Sequence, residues 1–242
     1  MSVGIIGFGR LGRLLTRYFA ADVSIRVYDP KASPRDIRAL GAAPATLEEA
    51  CRQTVVIPCV PIAAFEGVIR RIRGLIPPGA LVIDVCSVKE HPVRVMKRLL
   101  PRGVDILATH PNFGPDSAAQ SLRGHKLVVC KVRLPAARYR KIKRLLEGKG
   151  LRLVEMTPAA HDRKSAASLV LTHFVGRALI GYGAKTTGVD TEGYTRLLRI
   201  LQTVQNDSWR LFQDMNSYNA YAAPMRRRFL KTMRAIDARV SR

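Results

Sequence analysis

A glycine-rich segment near the amino end is the first feature that could do chemistry. Gly7, Gly9 and Gly12 form a G-x-G-x-x-G motif between an apolar run and a helical pattern. Such a turn lets a pyrophosphate approach the backbone, and the helix after it offers N–H groups and a positive dipole end. An ordinary glycine-rich turn is the alternative. The motif predicts a dinucleotide site, whose cofactor-binding residues are Gly7, Phe8, Gly9, Arg10, Leu11 and Gly12.

Asp29 is the second candidate at this site. It ends a β-branched run and lies 17 residues after Gly12. A carboxylate there accepts hydrogen bonds from the adenosine ribose and repels a 2′-phosphate, which favours NAD. Lys31 and Arg35 follow closely and could soften that repulsion, so NADP is kept as an alternative.

Ser87 lies in a second segment of interest, residues 84–90, at the end of the apolar run 81–85. Open α/β sheets bind their ligands at the carboxyl ends of the strands. Ser87 is therefore expected to present its hydroxyl beside a nicotinamide. Ser87 and Glu90 also fit the S-x-x-E pattern of a capping box, an alternative that is compatible with the functional one.

His110 follows the run 105–109 and precedes a loop rich in proline and glycine. A histidine at the carboxyl end of a strand can meet a substrate over the nicotinamide. Its ordinary pKa near ~6.5 suits a general base at neutral pH. A histidine that only holds the loop in place is the alternative.

Two further histidines, His161 and His173, fall in one helical pattern, 12 residues apart. On a straight helix that separation means about 120° and about 18 Å, so they cannot share one metal or one small substrate. Arg177 lies one turn after His173 and gives a cationic face for a carboxylate, which favours His173 as the functional residue. For His161, a surface or interface role is an equal alternative.

Short apolar runs alternate with helical patterns through the first half, as in βαβ units with a mostly parallel sheet. Strands are predicted at 3–6, 24–28, 54–60, 81–85, 105–109, 126–131 and 152–155. Helices are predicted at 10–20, 63–75, 92–100 and 135–146. Pro61, directly after the third strand, is counted with the cofactor-binding residues. The fold class is therefore α/β, with a Rossmann-type dinucleotide-binding domain over 1–156.

From Thr157 onward the pattern is almost wholly helical. Thr157 fits an N-cap with Pro158 at the first helical position of a long helix to about Ile180. Further helices are predicted from about Glu192, Ser208 and Pro224. We predict an all-helical C-terminal domain over 157–242 for substrate binding and dimerisation. Its helices are too apolar to be covered by one chain, so a homodimer is expected.

The net charge of +23 raises nucleic acid or an acidic membrane surface as partners. Residues 1–134 carry 20 Lys+Arg and 10 Asp+Glu, and residues 135–242 carry 21 and 8. This even spread argues against both partners, and a small-molecule substrate is expected instead. The most apolar stretch, 168–184, contains His173 and Arg177 and is too short and polar to cross a bilayer.

The four cysteines, Cys51, Cys59, Cys86 and Cys130, lack the spacing of a metal site. Three of them fall in apolar runs, so reduced thiols in a cytoplasmic protein are expected, and no metal. Because the first strand is predicted to begin at Val3, we expect no signal or transit sequence.

Together these motifs resemble the prephenate and arogenate dehydrogenase family of tyrosine biosynthesis, over nearly the whole chain. The segments that carry the resemblance are Gly7-x-Gly9-x-x-Gly12, Asp84-x-x-Ser87-Val88-Lys89-Glu90, Thr109-His110-Pro111-x-Phe113-Gly114-Pro115, His161-Asp162 and Thr172-His173-x-x-Gly176-Arg177. The last segment is similar to the plant-type arogenate branch, because many bacterial members have Ser-His-x-Pro-His there.

The resemblance implies oxidation of a 4-hydroxycyclohexadiene by hydride transfer to a nicotinamide, with loss of the ring carboxylate as CO2. It implies that His110 is the catalytic histidine, that Ser87 orients it with the substrate, and that His173 lies in the substrate pocket. His161 matches a histidine near the pocket or the dimer contact. Asp207 resembles the acidic residue that arogenate users place against the substrate amine, with a helix N-cap as the alternative. Arogenate is the expected substrate, and prephenate and an amino-substituted analogue are the alternatives.

The chain departs from the family pattern at three positions. Asn112 stands where methionine is usual, and Asp116 and Leu169 stand where plant-type members often have glutamine. Arg196 and Arg199 are candidates for the arginine that holds the ring carboxylate.

Two other functions remain open. Another small Rossmann reductase would need a proton donor on the helical domain, and Lys164, the evident candidate, leaves His110 unexplained. A non-catalytic protein that binds NAD or nucleic acid would use the charge and would bind DNA with a steep salt dependence.

Overall fold

The computed structural model describes residues 1–241, and its first part is built around an eight-stranded sheet. The strands are β1 (Ser2–Ile6), β2 (Ser24–Tyr28), β3 (Ala43–Pro44), β4 (Val55–Pro58), β5 (Leu81–Asp84), β6 (Asp105–Pro111), β7 (Lys126–Arg133) and β8 (Arg152–Glu155). The helices between them are α1 (Arg10–Phe19), α2 (Pro34–Ala39), α3 (Leu47–Cys51), α4 (Ile62–Ile72), α5 (Glu90–Leu99) and α6 (Ala136–Gly148).

The strand order is β3-β2-β1-β4-β5-β6-β7-β8, and every neighbouring pair is parallel except β6 and β7. The predicted Rossmann-type, mostly parallel sheet is confirmed. The order reverses between β1 and β4, and open α/β sheets bind their ligands in the crevice beside such a point. A ligand is therefore expected at the edge of the sheet formed by the carboxyl ends of β1, β4, β5 and β6.

Helices cover the sheet because their apolar side chains repeat with the helical period. In α4, Ile62, Phe65, Ile69 and Ile72 recur every three or four residues and are buried. Burying side chains of this size stabilises each by about 1.5–3 kcal/mol. This packing gives the strand ends a fixed frame.

Three short elements between residues 30 and 52 were not predicted: α2, β3 and α3. The two helices are stabilised at their starts, since Ser33 accepts the N–H of Arg35 and Thr46 forms a capping box with Glu49. Helices of six and five residues are too short to display a periodic apolar pattern.

Two predicted boundaries near the candidate site are wrong. β6 extends through Pro111, so His110 lies within the strand and not beyond its end. The capping box of Ser87 and Glu90 is also wrong, because α5 begins at Glu90 with Lys89 as its N-cap. Residues 85–89 form an irregular loop instead, and Ser87 belongs to that loop.

The chain divides into two compact units, and the second begins at Ala160. The predicted boundary, after residue 156, lies before the observed one, which follows Ala159. The remaining helices are α7 (Pro158–Ser165), α8 (Leu171–Tyr182), α9 (Glu192–Val204), α10 (Trp209–Ser217) and α11 (Ala222–Val240).

The helix that was expected to run unbroken to Ile180 contains a π-helical turn, Ala166–Val170, between α7 and α8. A π turn adds a residue per turn and changes the angle between residues before and after it. The separation predicted for His161 and His173 on a straight helix therefore does not apply. π turns are frequent at functional sites.

A small core holds the second unit together. Val170, Met215 and Ala222 are buried in it, and Leu169 and Leu211 pack against them. Within residues 1–241, no helix combines the length and the apolar character needed to cross a bilayer.

Candidate active site

The glycine-rich turn after β1 is packed so tightly that two of its glycines have no room for a side chain. A Cβ on Gly7 would lie 2.3 Å from the carbonyl oxygen of Cys59, and Gly7 has a φ of +102°. A Cβ on Gly12 would lie 2.2 Å from the carbonyl oxygen of Gly7. A Cβ on Gly9 would meet open space. The turn is thus closed on the protein side and open where a ligand can approach.

Gly9 is the N-cap of α1 and has no side chain to occupy the N–H groups of the first turn. These groups and the helix dipole attract an anion. The residues present fit the pyrophosphate of a dinucleotide, because the backbone is exposed at Gly9 and closely packed at Gly7 and Gly12.

We expect Gly9→Ala and Gly12→Ala to separate binding from folding. Gly9 has a φ of −68°, which alanine adopts, so its variant keeps the melting temperature but weakens NAD binding by about tenfold, or 1.4 kcal/mol. In Gly12→Ala the backbone contact costs about 1–3 kcal/mol or more of folding stability. Thermal melts and NAD titrations of both variants measure this. Equal NAD affinity in Gly9→Ala and the parent would contradict the assignment.

Asp29 faces the same turn from the end of β2. Its Oδ2 accepts the N–H of Phe8 at 2.7 Å, and its Oδ1 accepts the N–H of Lys31 at 2.8 Å. A carboxylate has about four acceptor sites, so both oxygens can also accept ribose hydroxyls. Asp29 therefore holds the turn in place and can also contact a ribose.

The other predicted cofactor-binding residues lie around this turn. The Phe8 ring is buried under Arg13, with the guanidinium 4.6 Å from the ring centre, so Phe8 can offer only its main chain. Pro61 is the exposed N-cap of α4. Arg10 forms two hydrogen bonds to Asp116, at 2.7 and 2.8 Å. Leu11 is half-buried in the first turn of α1.

Ser87 and His110 lie at the carboxyl ends of two neighbouring strands, β5 and β6. Ser87 is half-buried in the loop after β5. His110 is next to last in β6, is 6% exposed, and pairs with Val128 of β7. Because β5 and β6 are parallel, their carboxyl ends meet at the same edge of the sheet. The structure thus brings the strand ends that carry Ser87 and His110 side by side.

A buried polar network connects these two strand ends. Lys89 donates hydrogen bonds to the carboxylate of Asp84 and to the carbonyl oxygen of Thr109. Asp84 Oδ1 accepts the N–H of Cys86 at 2.8 Å, and Thr109 Oγ1 donates to the carbonyl oxygen of Asp84 at 2.7 Å. Sequence reasoning assigned no role to Lys89 or Asp84. No local pattern marks the contact between Lys89 and Thr109, because 20 residues separate them.

Two cysteines lie at the same edge, Cys59 after β4 and Cys86 after β5. Burial raises the pKa of Cys59 to about 12 and raises the pKa of Cys86 well above its ordinary value of 9.0. Both thiols are therefore protonated at neutral pH and are not nucleophiles. The thiols are therefore not candidates for proton transfer at this edge, whereas the His110 imidazole is.

In the second unit, His173 and Asp207 face each other. The His173 Nε2 atom lies 3.6 Å from Asp207 Oδ2, and Arg177 donates a hydrogen bond to the carbonyl oxygen of Asp207. The Arg177 guanidinium also lies 5.5 Å from the ring centre of Trp209. The structure brings together the three predicted residues His173, Arg177 and Asp207. The contact between Arg177 and Trp209 was not predicted. The signal available in the sequence was an aromatic residue two positions after Asp207.

The alternative role of Asp207 as a helix N-cap is wrong. Ser208 is the N-cap of α10, and its hydroxyl accepts the N–H of Leu211 at 3.1 Å. The carboxylate of Asp207 is therefore not used to cap the helix, and its side chain is 30% exposed.

Three buried polar atoms of this unit have no hydrogen-bond partner among residues 1–241: Ser165 Oγ, His173 Nδ1 and Arg177 Nε. Buried polar groups are nearly always satisfied by protein or by water, so unpaired ones need an explanation. Two of the three belong to the predicted substrate residues, which fits a polar ligand.

His161 has a partner of its own. Its Nδ1 lies 2.7 Å from Oδ1 of Asp162, which is fully buried, and the carbonyl oxygen of Asp162 accepts from Asn219. His161 thus belongs to a buried structural pair within its unit.

Arg196 pairs with Glu192 at 2.9 Å, and Arg196 and Arg199 are exposed on α9.

Burial lowers the pKa of His173 from its ordinary value of 6.5, although Asp207 opposes this effect. Between the two pKa values the unfolded chain binds a proton that the folded protein does not, so stability falls as the pH drops through that window. We expect the melting temperature of the parent to fall more between pH 7.5 and pH 5.5, about one unit either side of 6.5, than that of His173→Gln. Parallel melts of both proteins test this, and an equal fall in both would contradict it.

Two family models match the chain. The model described as prephenate dehydrogenase, nucleotide-binding domain, matches residues 12–155. A model described as TYRAAT1-like, C-terminal domain, matches residues 179–242.

Two relatives come from Arabidopsis thaliana. Arogenate dehydrogenase 2, chloroplastic, is 32% identical over 92% of this chain, and arogenate dehydrogenase 1, chloroplastic, is 31% identical over 95% of it. The chain spans 65% of the length of the first relative and 37% of the second.

Among solved structures, the prephenate dehydrogenase from A. aeolicus in complex with hydroxyphenyl propionate and NAD+ has a similar fold. It superposes with a TM-score of 0.76 at 20% sequence identity, and the match covers 100% of this chain and 91% of that one. At this identity the likeness concerns the fold alone.

Proposed function

The chain belongs to the prephenate and arogenate dehydrogenase family, and from this premise we propose that it oxidises and decarboxylates arogenate to tyrosine with NAD. The observation that carries the proposal is the meeting of two strand ends, one with Ser87 and one with His110, at the dinucleotide-binding edge of the sheet. The two Arabidopsis arogenate dehydrogenases support the reaction type.

His110 acts as the general base. It accepts a hydrogen bond from the substrate 4-hydroxyl. It takes the hydroxyl proton as a hydride leaves the ring carbon that carries this hydroxyl, so that a carbonyl forms. A bound nicotinamide would supply the acceptor for that hydride. The ring carboxylate leaves as CO2, its bonding electrons make the ring aromatic, and the proton on His110 returns to the phenol oxygen. Ser87 orients the imidazole and the substrate.

NAD is favoured over NADP at this site. The Asp29 carboxylate lies at the end of β2 against the glycine-rich turn, through its hydrogen bond to Phe8. A 2′-phosphate in this position would be repelled by it. The NAD+ in the A. aeolicus complex supports the same cofactor type.

His173, Arg177 and Asp207 bind the amino-acid side chain of the substrate in this proposal. Arogenate carries an ammonium group where prephenate carries a keto oxygen. The Asp207 carboxylate suits the ammonium, and the Arg177 guanidinium, with its unpaired Nε, suits a carboxylate. This group of charges favours arogenate over prephenate.

A homodimer is part of the proposal. Leu230, Met233, Ile236 and Val240 of α11 are exposed by 41–78% and recur every three or four residues, as apolar side chains do on one helix face. Such a stripe is typical of a subunit contact. We propose a cytoplasmic location, because Cys51, Cys59, Cys86 and Cys130 are not joined by disulfide bonds within residues 1–241. Analytical ultracentrifugation tests the dimer, and a monomer at micromolar concentration would exclude it.

The test of the function is an assay of the purified protein with arogenate and prephenate, each with NAD and with NADP. We expect reduction of NAD with arogenate and much slower turnover in the other three mixtures. Turnover with prephenate alone would overturn the arogenate assignment. No turnover in any mixture, with NAD still bound, would favour another small Rossmann reductase.

A further inference from the structure

Lys89 occupies an unusual position for a lysine. It is the N-cap of α5, where a cation faces the positive end of the helix dipole, and its side chain is fully buried. Long cationic side chains are almost never buried without a partner. Both features are unfavourable, so the contacts of the ammonium group explain why it is there.

The Lys89 ammonium bridges the two strand ends of the candidate site. It donates to the carboxylate of Asp84, the last residue of β5, and to the carbonyl oxygen of Thr109 in β6. Asp84 is fully buried as well, and its second oxygen accepts the N–H of Cys86 at 2.8 Å. One ion pair thus holds main-chain groups on both strand ends.

Each main-chain group held by this pair is one residue from a proposed catalytic residue. Cys86 precedes Ser87, and Thr109 precedes His110. A second hydrogen bond, from Thr109 Oγ1 to the carbonyl oxygen of Asp84, joins the same strand ends directly. A shift of either strand end therefore requires this network to rearrange.

We propose that the buried Asp84–Lys89 ion pair is a positioning device that sets the relative placement of the Ser87 hydroxyl and the His110 imidazole. The inference rests on the proposed function, because the residues positioned are those of the proposed reaction. Lys89 and Asp84 are positioning residues and do not touch the reacting atoms.

A purely stabilising role explains the pair less well. Buried ion pairs are often no more stabilising than apolar side chains of similar size, because both charges lose their hydration. Removing one partner alone leaves an uncompensated buried charge and destabilises the fold. Removing both charges therefore separates stability from positioning.

The test compares Lys89→Met with the double variant Asp84→Asn/Lys89→Met. Asparagine keeps an oxygen that can accept from Cys86. We expect the single variant to lose both melting temperature and kcat, and the double variant to recover most of the melting temperature. Its kcat remains about 10²-fold below the parent, as a misplacement near 1 Å produces, while the Kd for NAD is unchanged. Recovery of kcat together with the melting temperature would overturn the proposal.

A second variant covers the case in which the double variant does not fold. Asp84→Glu keeps both charges but moves the carboxylate by one methylene, so we expect a lower kcat with an unchanged Kd for NAD. The NMR signals of the His110 imidazole are expected to shift in this variant. Parent-like kcat and parent-like imidazole signals would overturn the proposal.

Lys97→Met, on the exposed side of α5, is the matched control and should behave as the parent in every measurement. The parent assay separates the two levels of inference. An inactive parent overturns the proposed function, and the positioning role with it. An active parent with active double and Asp84→Glu variants overturns the positioning role alone.

Discussion

Replacing His110 with asparagine is expected to lower kcat for arogenate oxidation by about 10²–10⁴-fold, the contribution of a well-placed general base. Asparagine is close in size to the imidazole and can still donate a hydrogen bond, but it cannot take the hydroxyl proton. His110 is 6% exposed and paired in β6, so the strand is expected to remain in place. Steady-state kinetics with saturating NAD measure the loss.

The pH profile adds a second reading of the same variant. In the parent, kcat/KM is expected to fall at acidic pH as the base becomes protonated, and in His110→Asn this limb is expected to disappear. His91→Asn, a half-buried histidine on α5, is the control and should keep the parent profile. A His110→Asn protein with the parent kcat would show that the base is elsewhere.

Replacing Asp207 with asparagine is expected to change the choice of substrate. Removing one partner of a buried charge pair costs about 2–5 kcal/mol, and Asp207 is 30% exposed, so the lower end applies. We expect kcat/KM for arogenate to fall about 30-fold while kcat/KM for prephenate stays level or rises. Assays of both substrates with parent and variant measure the change.

The scaffold around Asp207 should survive this substitution. Arg177 donates to the main-chain carbonyl of Asp207, and the N-cap of α10 is Ser208, so neither contact uses the carboxylate. Asp237→Asn, on the exposed face of α11, is the matched control. Equal losses of kcat/KM for arogenate and prephenate would indicate that Asp207 only orients His173 and does not bind the substrate amine.

Much of the dinucleotide site was predictable because its signals are local. The spacing of Gly7, Gly9 and Gly12, followed by Asp29, depends on one turn and two adjacent strands. The alternation of apolar runs and helical patterns also predicted the mostly parallel sheet, although α2, β3 and α3 were missed. The strand end that carries His110 followed from the same reasoning, although β6 continues one residue past it.

The contacts within each unit's group of candidate residues were not predictable, because they join positions that are far apart in the chain. Lys89 meets the carbonyl of Thr109 across 20 residues, and Arg177 meets that of Asp207 across 30. The S-x-x-E pattern at Ser87 was misleading, because Lys89 and not Ser87 is the N-cap of α5. The π-helical turn at Ala166–Val170 has no marker in the sequence and changes the placement of His173 relative to His161.

The measurement that tests the central claim most directly is product analysis of the unchanged protein with arogenate and NAD. Tyrosine, CO2 and NADH should appear in equal amounts, because hydride transfer and loss of the ring carboxylate belong to one reaction. Formation of NADH without tyrosine would contradict the account, and so would tyrosine formed without NADH.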